Sequence, residues 1–336
     1  MRNKYKSVEL FAGAGGLALG LEEAGFKHIC LNEIDKFAVS TLRANRSNWN
    51  VVNLDVKELA EKDCCKFLKI KKGKLDLLSG GFPCQTFSYA GKKAGINDAR
   101  GTMFFYYASI LKKMMPKIFL AENVKGLSTH DNGKTIKIIT DIFSSIGYCV
   151  RWKILNAWDY EVAQKRERIV IVGVRNDIKT EYHFPEKLSR KLLLKDVLVK
   201  VPASDGIKYS DEKRRVLDLV PPGGCWRNLP KDVAKKFMKG SYYLGGGKTG
   251  VARRLSWNEP SLTLTCSPCQ GQTERCHPDE TRPLTIREYA RIQNFPDNWI
   301  FQGSVYSQYK QIGNAVPINF AKQIGLSIIK FLEKNK

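Results

Sequence analysis

No apolar run in this 336-residue chain approaches the ~18 residues that a membrane-spanning helix needs, so no such helix is expected. The nine cysteines are odd in number and irregularly spaced, which argues against a disulfide framework. Reduced thiols of a cytoplasmic protein are the simplest account. The N-terminus runs into an apolar strand without the long hydrophobic stretch of a secretory leader. No internal repeat is visible, and the glycine cluster Gly13, Gly15, Gly16 does not continue as G-x-G-x-x-G, since the next glycine is Gly20. Acidic residues are scarce: 33 Asp and Glu face 56 Lys and Arg, a formal charge of +23. Such a surplus repels itself unless a polyanion shares the field, so a nucleic-acid partner is favoured. The bland alternative is a Lys-rich but merely soluble surface.

What the chain does contain is an alternation of strand and helix signals in its first half. Val8–Phe11, Ile29–Asn32, Leu75–Leu78, Ile118–Ala121 and Ile169–Val172 are strand-like. Helical spacing occupies Leu17–Ala24, Lys36–Asn45 and Lys134–Ile146. This pattern predicts an α/β fold, a doubly wound sheet with helices on both faces. After about Arg175 the periodicity weakens, and Pro221-Pro222-Gly223-Gly224 and Gly245-Gly246-Gly247 mark a loop-rich second domain. Helical signals return at Ile286–Gln293 and Ile318–Glu333.

Chemistry-bearing residues fall at the predicted strand ends. Phe11-Ala12-Gly13-Ala14-Gly15-Gly16 sits where the first strand turns into a helix, and Glu33 follows Gly13 by 20 residues. A doubly wound sheet places a ribose-binding acid at that offset. Without the third glycine spacing, a nucleoside-sized ligand fits better than a dinucleotide. Asp55 is a candidate acceptor for an adenine amine. Gly80-Gly81-Phe82-Pro83-Cys84-Gln85 follows another strand and presents a thiol on a rigid turn at the sheet's carboxyl edge. The alternative is a small buried hydrophobe. Glu122 ends a further strand, where an apolar setting suits a proton donor, although a surface or capping acid is the simpler role. Arg166 and Arg168 alternate, so on an extended segment both would face one way and suit an anionic or carbonyl oxygen.

These blocks, in this order and spacing, resemble the DNA (cytosine-5)-methyltransferases of bacterial restriction-modification systems. The likeness extends to Arg282–Pro296 and to Gln311-Ile312-Gly313-Asn314-Ala315-Val316-Pro317, covering the chain except for about 178–281. It implies a Rossmann-like, S-adenosyl-L-methionine-dependent methyltransferase sheet over 1–177. A target-recognition domain over 178–281 and a returning C-terminal segment over 282–336 would complete the chain. In the cofactor pocket it implies Phe11, Gly13, Gly15, Gly16, Glu33, Ile34, Asp55, Pro83 and Asn314. In the catalytic centre it implies Cys84 as nucleophile, Glu122 as acid, Arg168 at the cytosine carbonyl, and Arg166 on phosphate or holding the loop. Ser88, with Gly91, Gly95 and Gly101, falls in a region resembling the family's mobile DNA-closing loop.

Arg253, Arg254, Gln270, Gln272 and Arg275 are candidate base readers because Arg suits guanine edges and Gln suits adenine. Thr263 belongs to a Thr-Leu pair expected near the space of the flipped base. The implied partners are double-stranded DNA and a cognate restriction endonuclease acting on the same site, with no membrane and a monomeric state. No metal is expected, although Cys266, Cys269, Cys276 and His277 compose a rival zinc set. A tRNA methylase would carry a smaller recognition region. A deaminase would show His-x-Glu and Pro-Cys-x-x-Cys, which are absent. A dead binding module would have lost the blocks that stand intact.

Overall fold

The apolar runs assemble into one seven-stranded sheet in the computed structural model, which describes residues 5–83 and 103–335. The chain enters through β1 (Tyr5–Leu10), α1 (Gly16–Ala24), β2 (Phe26–Glu33), α2 (Lys36–Asn45), β3 (Val51–Asn53) and α3 (Val56–Glu61). It continues through β4 (Leu77–Gly80), α4 (Met103–Met114), β5 (Ile118–Val124), α5 (Lys134–Ile146), β6 (Tyr148–Asn156), β7 (Gln164–Lys165) and β8 (Glu167–Arg175). The sheet order is β3-β2-β1-β4-β5-β8-β6. β1 to β5 pair in parallel, whereas β8 runs antiparallel to both β5 and β6. The chain winds outward from β1 to β3 and then returns to β4. The crevice at the carboxyl ends of β1 and β4 is therefore the switch point where such sheets bind ligands.

Both faces of the sheet are covered, which explains why β4 and β5 read as near-continuous apolar runs rather than alternating ones. One face packs Leu78, Phe119 and Ile171 against Phe104, Tyr107 and Phe143 of α4 and α5. The other packs Leu77, Ile118, Leu120 and Val170 under α1 and the C-terminal helix. α4 escapes helical periodicity in the sequence because apolar side chains surround it. β6 escapes strand prediction because it is a sheet edge, with Arg151, Trp152 and Lys153 exposed.

Beyond β8 lie α6 (Asp211–Asp218), α7 (Lys231–Met238), β9 (Ser261–Leu262), α8 (Ile286–Ile292), α9 (Val305–Asn314) and α10 (Ile318–Glu333). Leu217, Val220, Leu229, Ala234, Ala252 and Cys276 form a small separate core. α10 returns to α1 at van der Waals range. A Cβ on Gly20 would lie 2.5 Å from the Ala321 Cβ and the Ile318 carbonyl, so the helix cost of this glycine is offset by packing that only glycine permits. Among the described residues no helix is long and apolar enough to cross a membrane.

Candidate active site and cofactor cleft

The glycine loop after β1 occupies the switch-point crevice. Phe11 (φ 57) and Gly13 (φ 55) both take the left-handed region, which turns the chain back over the strand end. A Cβ on Gly13 would meet nothing within 4 Å, so this glycine faces open space. Gly16 differs, because a Cβ there would lie 2.2 Å from the Val316 carbonyl. Its missing side chain is demanded by the C-terminal segment and not by a ligand.

Glu33, at the end of β2, organises the loop. Its Oε2 accepts from the Gly13 amide at 2.7 Å, and its Oε1 accepts from Ile34 and Asp35 at 2.9 and 2.8 Å. A carboxylate offers about four lone-pair sites, so one remains for a hydroxyl. Next to it Ile34 is 62% exposed, an apolar platform left bare by the described residues. Asp55 caps α3 by accepting from the Lys57 amide at 2.8 Å, the structural role that also suits its residue type. Phe82 is buried and Pro83 exposed at the end of the β4 turn. Open space over Gly13, the free acceptor on Glu33 and bare Ile34 together fit a nucleoside-bearing cofactor.

Sequence reasoning passed over Glu9, which is 1% exposed on β1. Burial drives its pKa well above the ordinary carboxyl value, against hydrogen bonds from Ser79 and the Ala18 backbone, and the Glu33 charge raises it further. The ionised form of this acid is therefore disfavoured beneath the loop. The visible signal was an acid inside the apolar run Val8-Glu9-Leu10. Because the folded-state pKa is raised, its stabilising contribution is complete below about pH 4.3 and declines as pH rises through the folded value. The melting temperature of the natural protein minus that of Glu9→Gln is therefore expected to fall between pH 5 and pH 8. A flat difference would show that Glu9 is ionised in the fold.

The second site lies where β5 meets β8. Both strands extend beyond the predicted ends, so Glu122 pairs with Val170 inside the ladder. Its Oε1 lies 2.9 Å from Arg168 Nε, with both side chains largely buried. Burial lowers the Arg168 pKa while Glu122 opposes the shift. A Cβ on Gly81 would stand 3.1 Å from Glu122 Oε2, and Asn123 Nδ2 donates to the Phe82 carbonyl at 2.9 Å. The turn leading to Cys84 is thus tied to the strand that carries Glu122. Cys84 itself lies outside the described residues, as do Ser88, Gly91, Gly95 and Gly101. Beside the ion pair opens a cleft of about 390 Å³ lined by Val124, Lys125, Gly126, Asn156, Lys165, Glu167, Arg168 and Thr263.

Arg166 does not share this cleft. It is 3% exposed, and its guanidinium donates to the carbonyls of Leu264, Gly313 and Ala315, each at 3.1 Å. The expected phosphate contact is corrected to an internal clamp, because a group sealed among backbone carbonyls has no path to phosphate. The expectation that both arginines face one oxygen fails with it. Of the other implied cofactor residues, Asn314 is exposed at the end of α9, with its Oδ1 3.2 Å from Cys266 Sγ.

The chain matches the C-5 cytosine-specific DNA methylases over residues 5–330. It is 54% identical over 342 residues to the Type II methyltransferase M.Eco47II of Escherichia coli, covering 99% of this chain and 80% of that one. It is 56% identical over 338 residues to M.Sau96I of Staphylococcus aureus, a further Type II methyltransferase, covering 99% and 78%. The chain belongs to the C-5 cytosine-specific DNA methylase family. An E. coli prophage protein described as a DNA modification methyltransferase shares the fold with a TM-score of 0.73 at 24% identity, covering 98% of this chain and 100% of that one.

Over residues 178–281 of this methylase the predicted base readers separate by burial. Arg254 is buried and donates to the carbonyls of Val220, Leu217, His277 and Pro278 and to the Thr281 hydroxyl. Arg275 is buried too, donating to the carbonyls of Glu274 and Thr263, with burial lowering its pKa to about 10. Both are corrected from base readers to internal cross-links, since neither guanidinium reaches the surface. Arg253 keeps partial exposure beside Glu259 at 3.0 Å, and Gln272 is exposed. Thr263 lines the cleft and donates to the Lys165 carbonyl at 2.8 Å. Cys266, Cys276 and His277 engage Asn314, Glu280 and neighbouring backbone amides separately. Arg254→Met is expected to lower stability by roughly 3 kcal/mol or more, since several buried carbonyls lose their donor. Melting curves would show this, and the sequence preference of the residual methylation should stay unchanged. Unaltered melting with altered preference would restore Arg254 as a reader.

Proposed function

We propose that this methylase transfers the methyl group of S-adenosyl-L-methionine to carbon 5 of a cytosine flipped out of a specific short double-stranded DNA sequence. The observation that carries this reading is the Glu122–Arg168 pair, largely buried beside a basic cleft, on the same sheet edge as a nucleoside-sized loop. Phe11, Gly13, Gly15, Glu33, Ile34, Asp55, Pro83 and Asn314 would surround the cofactor. When bound, the cofactor supplies a sulfonium-activated methyl group.

Carbon 5 of cytosine is a poor nucleophile while the ring is aromatic. The Cys84 thiolate adds to carbon 6, forming a C–S bond and making carbon 5 enamine-like. Negative charge moves into the ring, where Glu122 donates a proton to nitrogen 3 and Arg168 hydrogen-bonds the carbonyl oxygen. After carbon 5 is alkylated, its proton passes to water, the freed electron pair re-forms the 5,6 double bond and expels Cys84 as thiolate, and nitrogen 3 returns its proton to Glu122. The target carbon is inaccessible in stacked duplex, so the base must leave the helix. Arg253, Gln272, Thr263 and Ser88 remain the candidate DNA contacts, and the +23 charge suits a polyanion.

Residues 1–177 would form the catalytic domain, 178–281 the target-recognition domain and 282–336 the returning segment. The Type II names of the relatives support a modification enzyme of a restriction-modification system. It would act in the cytoplasm as a monomer, alongside an endonuclease that cuts the same site. Methylation-aware sequencing of unmethylated DNA incubated with the protein and cofactor tests the reading. One short sequence methylated at carbon 5 of cytosine is expected, and methylation of adenine or of no base would overturn it.

A further inference from the structure

Three buried polar side chains form one knot between the two sites. Gln164, on β7, donates to Gln293 Oε1 at 2.8 Å and accepts from the Leu264 amide at 2.9 Å. Gln293 donates in turn to the carbonyls of Ile312 and Ala315 at 2.8 and 3.1 Å. Arg166 closes the ring, because one guanidinium nitrogen holds the Leu264 carbonyl and the other holds those of Gly313 and Ala315. A buried cation without a carboxylate in direct contact is costly; here carbonyl dipoles hold it, with the Glu122 charge adding attraction from a distance. Its Nε has no partner among the described residues.

What the knot joins gives it meaning. Gly313 and Ala315 flank Asn314, and the next residue, Val316, packs on Gly16 at the head of the glycine loop. Leu264 follows Thr263, which lines the target cleft. Two residues from Arg166, Arg168 pairs with Glu122. Gly313 sits so tightly on this segment that a Cβ would lie 2.0 Å from the Thr265 carbonyl. The turn beside the glycine loop and the segment beside the cleft therefore cannot move independently while Arg166 spans them.

We propose that Arg166 is a positioning residue that couples the methyl-donor pocket to the target-base cleft, so that filling either one orders the other. This rests on the reading of the Asn314 side as part of the donor pocket. Allosteric coupling here means a free energy shared between two ligands, and it is reciprocal. Lysine cannot replace the fork, since one ammonium cannot span carbonyls on both sides.

The test uses S-adenosyl-homocysteine, the demethylated cofactor, and a duplex carrying the methylated sequence. Calorimetry on the full chain gives the factor by which the first ligand tightens the second. About fivefold or more is expected for the natural protein and below about twofold for Arg166→Lys. A factor equal to that of the natural protein in a folded Arg166→Lys would overturn the coupling, as would a factor of one in the natural protein. Should Arg166→Lys not fold, hydrogen exchange on the natural protein decides. S-adenosyl-homocysteine alone should slow exchange across 263–266, and unchanged exchange there refutes the proposal. Glu33→Gln tests the pocket separately: it should weaken S-adenosyl-homocysteine about tenfold, and undiminished affinity would sink the pocket reading itself.

Discussion

Cys84→Ser is expected to lower methyl transfer on the order of 10⁴-fold or more, while leaving the binding of DNA and cofactor within a few-fold. The size follows from the chemistry. Without a carbon 6 adduct, carbon 5 stays aromatic and has no electron pair to offer the methyl group. Serine keeps the shape, but its hydroxyl is almost never ionised near neutral pH, whereas a thiol is by a few per cent and is intrinsically more nucleophilic. Loss of activity through misfolding would lower the melting temperature and binding together, and neither should change here. Single-turnover assays with saturating DNA and cofactor measure the effect. A decrease of less than tenfold would mean that the methyl transfer does not need the thiol.

The second large effect belongs to Glu122. Glu122→Gln removes the proton donor for ring nitrogen 3 but preserves the shape beside Arg168, so a loss of about 10²–10⁴ in the chemical step is expected. Arg168 would keep its guanidinium beside the Gln amide oxygen, and packing at β5 and β8 should survive. The partition between kinetic constants is informative. A donor acting in the transition state lowers kcat and kcat/KM together, whereas a residue that merely held the base would raise KM. An unchanged kcat with raised KM would demote Glu122 to a binding group.

Much of this was legible before any coordinates. The sheet announced itself because β4, β5 and β8 are buried on both faces and so read as short apolar runs. The site loops announced themselves because glycine and a lone acid at strand ends have few structural reasons to be there. Glu33 does both tasks: it holds the Gly13 amide and keeps an acceptor free.

What the sequence concealed is which charged side chains point inward. Arg254 and Arg275 look like base readers in a basic, loop-rich stretch, yet each spends its donors on backbone carbonyls that no regular ladder satisfies. A region poor in helices and strands must cap its buried carbonyls with side chains, and arginine, with five donors, is suited to that task. Arg166 misled for the same reason. An alternation rule places side chains by parity, but Arg166 lies between β7 and β8, where the ladder breaks. Glu9 escaped because strand propensity carries no information about a buried acid whose ionised form is disfavoured.

The central claim is a covalent bond between Cys84 and carbon 6 of the target cytosine. It is tested most directly with a duplex carrying 5-fluorocytosine at the methylated position. Fluorine cannot leave carbon 5 as a cation, so elimination stops and the enzyme stays attached to the methylated base. Intact-mass and peptide analysis should then find one DNA strand joined to the peptide containing Cys84, only when S-adenosyl-L-methionine is present. Failure to form any denaturation-resistant complex, or attachment through a residue other than Cys84, would contradict the account.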